Sequence, residues 1–248
     1  MRLNFRPAKG WRAFIGEVGV IVLGVLIALG AQQAAESVNE RRAAAEARDA
    51  VVGEIEEMLA VLQLRQAAEP CVERRLKELR AIVDQWGRTG SFTTPRWVAQ
   101  APWFLSSTAR FEAAQASGRL ALLPTEEQYR LGLITGTLRN FREIQERELD
   151  AWAKLRALQS GADALSARDR TEIRMALQEA SLLDYRAKTA AGQGLTFAAG
   201  YGWRPSRRRL DYMLSRGWKN GRFSPSICFP INTPPQVVNQ NLFFPVPE

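Results

Sequence analysis

The stretch from Phe14 to Ala31 most constrains what this chain can become. Its only charged residue is Glu17, and the fourteen residues from Val18 to Ala31 are all apolar or glycine. As a helix, Phe14 to Ala31 is about 27 Å long at 1.5 Å per residue. That nearly spans a hydrocarbon core of about 30 Å. A helix buried in a soluble core needs only one apolar stripe, not apolar residues all round. Trp11 and Arg12 stand at one end, and Gln32 and Gln33 at the other. Arg2, Arg6, Lys9 and Arg12 precede the run without an acidic residue, whereas Glu36 to Asp49 mixes both signs. The positive-inside rule puts the N-terminus in the cytoplasm and the chain after residue 35 outside it. In a Gram-negative bacterium this means an inner-membrane anchor and a periplasmic domain. Two other readings compete. One is a signal peptide cleaved near Ala28-Leu29-Gly30, and the other is a buried soluble helix.

Within the run, Glu17, Gly24, Ala28, Ala31 and Ala35 share one helical stripe. Small residues on a stripe let a second helix approach closely. They are the expected helix–helix interface, toward other membrane subunits or a second copy. Glu17 is expected in the first turn, where free N–H groups and the positive dipole end favour a carboxylate. A partner-facing or proton-carrying role for Glu17 is the sharper alternative.

Beyond the run, Ala, Glu, Arg and Leu predict one long helix to about Ala68. Val51, Val52, Ile55, Met58, Leu59 and Leu62 form its apolar face. Pro70 is expected to open a second helix, striped by Val72, Leu76, Leu79, Val83 and Trp86. A short helix is expected near residues 105–116. Thr125 with Gln128 reads as a capping box, and so does Ser166 with Asp169. The helices they open carry the stripes Leu131, Ile134, Leu138, Phe141, Leu149, Trp152, Leu155, Leu158 and Ile173, Leu177, Ala180, Leu183. From Gly192 on, Pro, Gly and aromatic residues replace periodicity. The expected fold is therefore all-α, in four parts. These are a cytoplasmic basic N-terminus (1–12), a transmembrane helix (13–35), a periplasmic helical domain (36–191), and an irregular segment (192–248) laid on the bundle or on a partner.

The stretch "GEVGVIVLGVLIALGAQQAAESVNERR" resembles the N-terminus of an uncharacterised family of bacterial single-pass membrane proteins. "STARFEAAQASGRLALLPTEEQYRLGLITGTL" is similar to that family's second landmark, a short helix, a turn and a leucine-spaced helix. Where the family has Asn-Asn-Trp after the anchor, this chain has Gln32-Gln33-Ala34. The resemblance implies an anchored extracytoplasmic helical domain of unknown function, and it supplies no catalytic residue.

Histidine is absent. That removes the usual general base and the commonest zinc ligand. No GxSxG, Walker A or GxGxxG motif occurs. The chain therefore reads as non-enzymatic and without a cofactor or metal. Its formal net charge is +8, which suggests anionic surroundings. The basic and aromatic residues concentrate in residues 201–222: Arg204, Arg207, Arg208, Arg209, Arg216, Lys219 and Arg222 with Trp203 and Trp218. A periplasmic domain meets no nucleic acid, so lipid headgroups or an acidic partner protein fit this surface better. The two cysteines, Cys71 and Cys228, are either free core thiols or one disulfide in an oxidising compartment. The periplasm favours the bridge, which would tie the C-terminal segment to the bundle.

The leading expectation is a membrane-anchored scaffold or accessory subunit of a larger membrane complex. A periplasmic sensor with a ligand pocket between helices and a stator-like subunit using Glu17 are the rivals.

Overall fold

The computed structural model describes residues 10–219, 222–223 and 226–233; among these, the side chains of residues 10, 12–14, 214–219, 222–223 and 226 are not described. The fold is all-α, as the sequence indicates. Helix α1 spans Gly10–Thr89, α2 Ala109–Ala116, α3 Thr125–Leu155, α4 Ala167–Gly200 and α5 Arg207–Gly217. A two-residue antiparallel pair, Trp218–Lys219 with Arg222–Phe223, follows α5.

The body is a three-helix bundle of α1, α3 and α4. Arg48 meets Glu127 and Arg65 meets Glu148, so α3 runs parallel to α1. Arg65 also meets Asp184 and a more N-terminal part of α1 meets Gly194, so α4 runs back antiparallel. The expected stripes face inward: Val51, Ile55, Leu59 and Leu62 from α1, Leu131, Ile134 and Phe141 from α3, and Ile173, Leu177 and Leu183 from α4.

Four sequence expectations are corrected. Pro70 does not open a second helix; it lies inside a continuous 80-residue α1. A mid-helix proline costs about 3 kcal/mol. Burial of Leu64, Ala68 and Val72 on either side outweighs that cost, and Pro70 itself is exposed. The Thr125–Gln128 capping box is not formed. Pro124 is the N-cap, and the Gln128 amide donates to the Leu123 carbonyl, 2.7 Å away. The short helix starts at Ala109, later than 105. Its N-terminus is capped from α1: the Glu54 carboxylate accepts from the Arg110 and Phe111 N–H groups and from the Ser107 hydroxyl. Lastly, α4 runs through Gly192 to Gly200, so the irregular segment begins later than residue 192. Gly194 explains why glycine is tolerated there, because a Cβ at this position would lie 2.7 Å from Leu62 Cδ1. The helices approach closely there, and a larger residue would have to displace the Leu62 side chain. The Ser166–Asp169 capping box forms as expected.

The extended segment between α1 and α2 is buried through Phe92, Trp97, Val98, Ala101 and Phe104. Side chains replace strand partners for its backbone. The Gln145 amide accepts from Phe104 N–H and donates to Phe104 O, and Gln159 accepts from Val98 N–H.

Candidate functional site

Three features stand out: an uncovered helix, a buried ion cluster and a clasped C-terminal segment. The first is the N-terminal part of α1. Its most apolar 18-residue window has a mean hydropathy of 2.0, and none of it is buried. The soluble-core reading of this run is therefore corrected, since the bundle does not cover it. Gly24, Ala28, Ala31 and Ala35 are all exposed, and a Cβ built on Gly24 would meet nothing within 4 Å. Glu17 is exposed too, and it does not lie in the first turn, since α1 already extends back to Gly10. The unpaired N–H groups of a helix start belong to its first four residues, so Glu17 does not satisfy them. Among the described residues, the first buried side chain of α1 is Ala44. From Ala31 to Ala44 the helix is thus a bare stalk about 20 Å long.

The second feature is centred on Arg65, whose side chain has no solvent exposure. Its Nη1 donates to Glu69 Oε2 at 2.9 Å. Its Nη2 donates to Asp184 Oδ1 at 2.6 Å and to Glu148 Oε1 at 3.1 Å. One guanidinium thus joins α1, α3 and α4. Half-exposed Lys188 stands at the mouth, 3.6 Å from Glu69 and 2.8 Å from Glu73. Three buried carboxylates around one buried cation leave an excess of negative charge. Burial pushes Glu148 up to about 7, and the charges of Asp184 and Glu69 add to the push while Arg65 opposes it. Burial likewise raises Asp184 and Glu69 above their ordinary values. Burial works against the charge of Arg65, but Glu148, Asp184 and Glu69 outweigh it and hold the guanidinium protonated. Near neutral pH Glu148 is thus poised between its charged and neutral forms.

The sign of the pH effect follows. A carboxyl that titrates higher folded than unfolded binds more protons in the native state between the two values. For Glu148 that window runs from its ordinary 4.5 to about 7. Stability should therefore rise as pH falls from 8 toward 5, by at most about 3 kcal/mol from this group. Thermal unfolding followed by circular dichroism should show a higher midpoint at pH 5.5 than at pH 8. Glu148→Gln should flatten that slope; a slope unchanged in the variant would move the effect elsewhere.

The third feature is the clasp. Cys71 and Cys228 form a disulfide across 157 positions of chain, their Cα atoms 4.7 Å apart. Around it, Arg74 donates to the Cys228 carbonyl, and Arg75 donates to the Phe229 carbonyl and, at 2.6 Å, to the Val98 carbonyl. Trp97 Nε1 donates to the Pro230 carbonyl, and its ring lies under the Arg75 guanidinium. Ile227 and Ile231 are buried in the core. This part of the C-terminal segment thus lies on the bundle. No periodicity announced it, and the cysteine pair was the only signal in the sequence.

Of the basic and aromatic surface, Arg204, Arg207 and Arg208 are exposed, and Arg209 is half-buried. Trp203 is corrected: it is buried against the bundle rather than displayed. The side chains of Arg216, Trp218, Lys219 and Arg222 lie outside those described. Among the described residues, no group of three or more acidic, cysteine or histidine side chains is placed to hold a metal ion. Comparison with protein-family models, curated proteins and solved structures finds no match.

Proposed function

We propose that this protein is a single-pass membrane-anchored scaffold or accessory subunit, with its helical body outside the cytoplasm and its anchor helix seated against another membrane helix. The observation that carries this reading is the uncovered stretch of α1. Its apolar window is wholly exposed, and apolar surface of that extent requires a cover. Lipid covers most of it. The stripe of Gly24, Ala28, Ala31 and Ala35 suits a second helix, because small residues let backbones approach. Glu17 lies about 21 Å from Ala31 along the axis, near the inner interface. There its carboxylate can reach headgroups or a partner's cation.

The test replaces one small residue at a time in the full chain. Gly24→Ile should weaken assembly in mild detergent, read as a shift to smaller species on a native gel. The fold should not change, because Gly24 touches nothing in this chain. Val25→Ala, off the stripe, should leave assembly intact. Identical behaviour of the two variants would remove the helix–helix part of the proposal.

A further inference from the structure

A groove of about 320 Å³ lies where α1, the end of α4 and the turn at residues 203–205 meet. Half-buried Leu195 and the small exposed part of Trp203 give it apolar surface, with Leu59 beneath, and Gln63, Gln66 and Arg204 line it with polar groups. Gln63, Gln66 and Arg204 are exposed, whereas Leu59 and Trp203 are buried. Its parts are fixed by the backbone. Trp203 N–H donates to the Ala198 carbonyl at 2.9 Å, which folds the chain back over the end of α4. Ser206 N–H donates to the Glu56 carbonyl at 2.8 Å, which docks the start of α5 on α1. The Trp203 ring is held edge-on to Tyr201, 5.5 Å between centroids.

Arg204 lines the groove, and the stretch that follows it is strongly cationic in sequence. Arg207 and Arg208 follow Arg204 and are exposed. Arg208 reaches Glu57 at 3.4 Å while its side chain stays 89% exposed. From Arg204 to Arg222 the sequence holds seven cations and one acid, Asp211. The groove's volume is at the low end for ligand sites, enough for one or two large side chains rather than a cofactor. Gln63 and Gln66 each offer donors and an acceptor, which suits an extended backbone.

We infer that this groove is a docking site for an acidic segment of a partner protein, an extended stretch that inserts a large apolar side chain beside Trp203 and sets its carboxylates against Arg204, Arg207 and Arg208. This deepens the accessory-subunit reading and rests on it. Charge complementarity selects the sign of the partner. Height selects protein over lipid. Leu59 lies about 42 Å beyond Ala31 along α1, and even a tilt of about 40° leaves roughly 32 Å. Headgroup charge is screened within about 10 Å. The partner must therefore also rise well clear of the bilayer.

The test uses the full chain in nanodiscs and the fluorescein-labelled peptide Asp-Glu-Leu-Phe-Asp-Glu, read by anisotropy. Saturable binding is expected. Arg204→Glu should weaken it at least about tenfold, and so should added salt. Leu195→Glu should abolish it; because that variant alters an apolar wall, Arg204→Glu, at an exposed position, carries the test if Leu195→Glu melts early. Equal binding of Lys-Lys-Leu-Phe-Lys-Lys, or undiminished binding to the Arg204→Glu chain, would overturn the inference. So would tighter binding of a peptide spanning residues 234–248, of a second copy of the chain, or of anionic vesicles. Gly24→Ile separates the two proposals. If the acidic peptide fails while Gly24→Ile still weakens assembly, only the groove inference falls.

Discussion

With Arg65 replaced by methionine, the bundle should lose about 3–5 kcal/mol of stability at pH 8, a large part of what holds a domain of this size together. The change leaves Glu69, Glu148 and Asp184 facing one another with no guanidinium between them. Methionine fills most of the space, so the loss is chiefly electrostatic. Two further results distinguish this from lost packing. The deficit should shrink at pH 5.5, where Glu148, pushed up to about 7, holds a proton and one of the three charges is removed. Glu148→Gln in the same chain should recover part of it at pH 8, since one of the three charges is gone. A deficit equal at both pH values and unmoved by Glu148→Gln would mean that Arg65 acts through shape alone. Chemical denaturation of the two variants at both pH values measures this.

Removing the clasp should be the next largest loss. For a loop closed across 157 positions, the chain-entropy treatment gives about 5 kcal/mol, and native strain and residual structure usually bring it to about 3–5. In a Cys71→Ser, Cys228→Ser chain the side chains of Ile227 and Ile231 still favour the core, and Arg75 still finds the Phe229 carbonyl. The segment should therefore stay docked at low temperature and detach first on warming. Limited proteolysis after warming should cut the double variant near residue 228 before it cuts the bundle, and leave the disulfide form whole. Simultaneous loss of both would mean that the segment and bundle melt as one unit. Alkylation of unreduced native protein should find neither cysteine free.

The bundle was legible because its inward positions repeat. Val51, Ile55, Leu59 and Leu62 are buried as their spacing indicates, and so are Ile173, Leu177, Ala180 and Leu183. The pattern failed at Leu149. That residue is only half-buried, and its neighbour Glu148 takes the inward place. Nothing local could show this. Glu148 is tolerated because Arg65, 83 positions away, and Asp184, across the bundle on α4, meet there. Burial of a charge depends on partners that only the folded chain brings together. The end of α4 was hidden for the opposite reason. Gly192 and Gly194 read as helix breakers, yet both lie within α4, where the position of Gly194 closely faces the Leu62 side chain. Pro70 misled in the same way: a local breaker was overruled by burial on either side. The disulfide was legible because only two cysteines are present. The groove beside Trp203 was not, since Leu59, Leu195 and Arg204 come from three separate parts of the chain.

The central claim is that α1 crosses a membrane and carries the bundle to its outer side. The most direct measurement is a pair of topology reporters fused after Gly161, in the turn that follows α3. Alkaline phosphatase needs an oxidising compartment to fold, and it should be active there. Green fluorescent protein exported through the same route should be dark. A dark phosphatase and a bright fluorescent protein at that position would place the bundle in the cytoplasm and contradict the account.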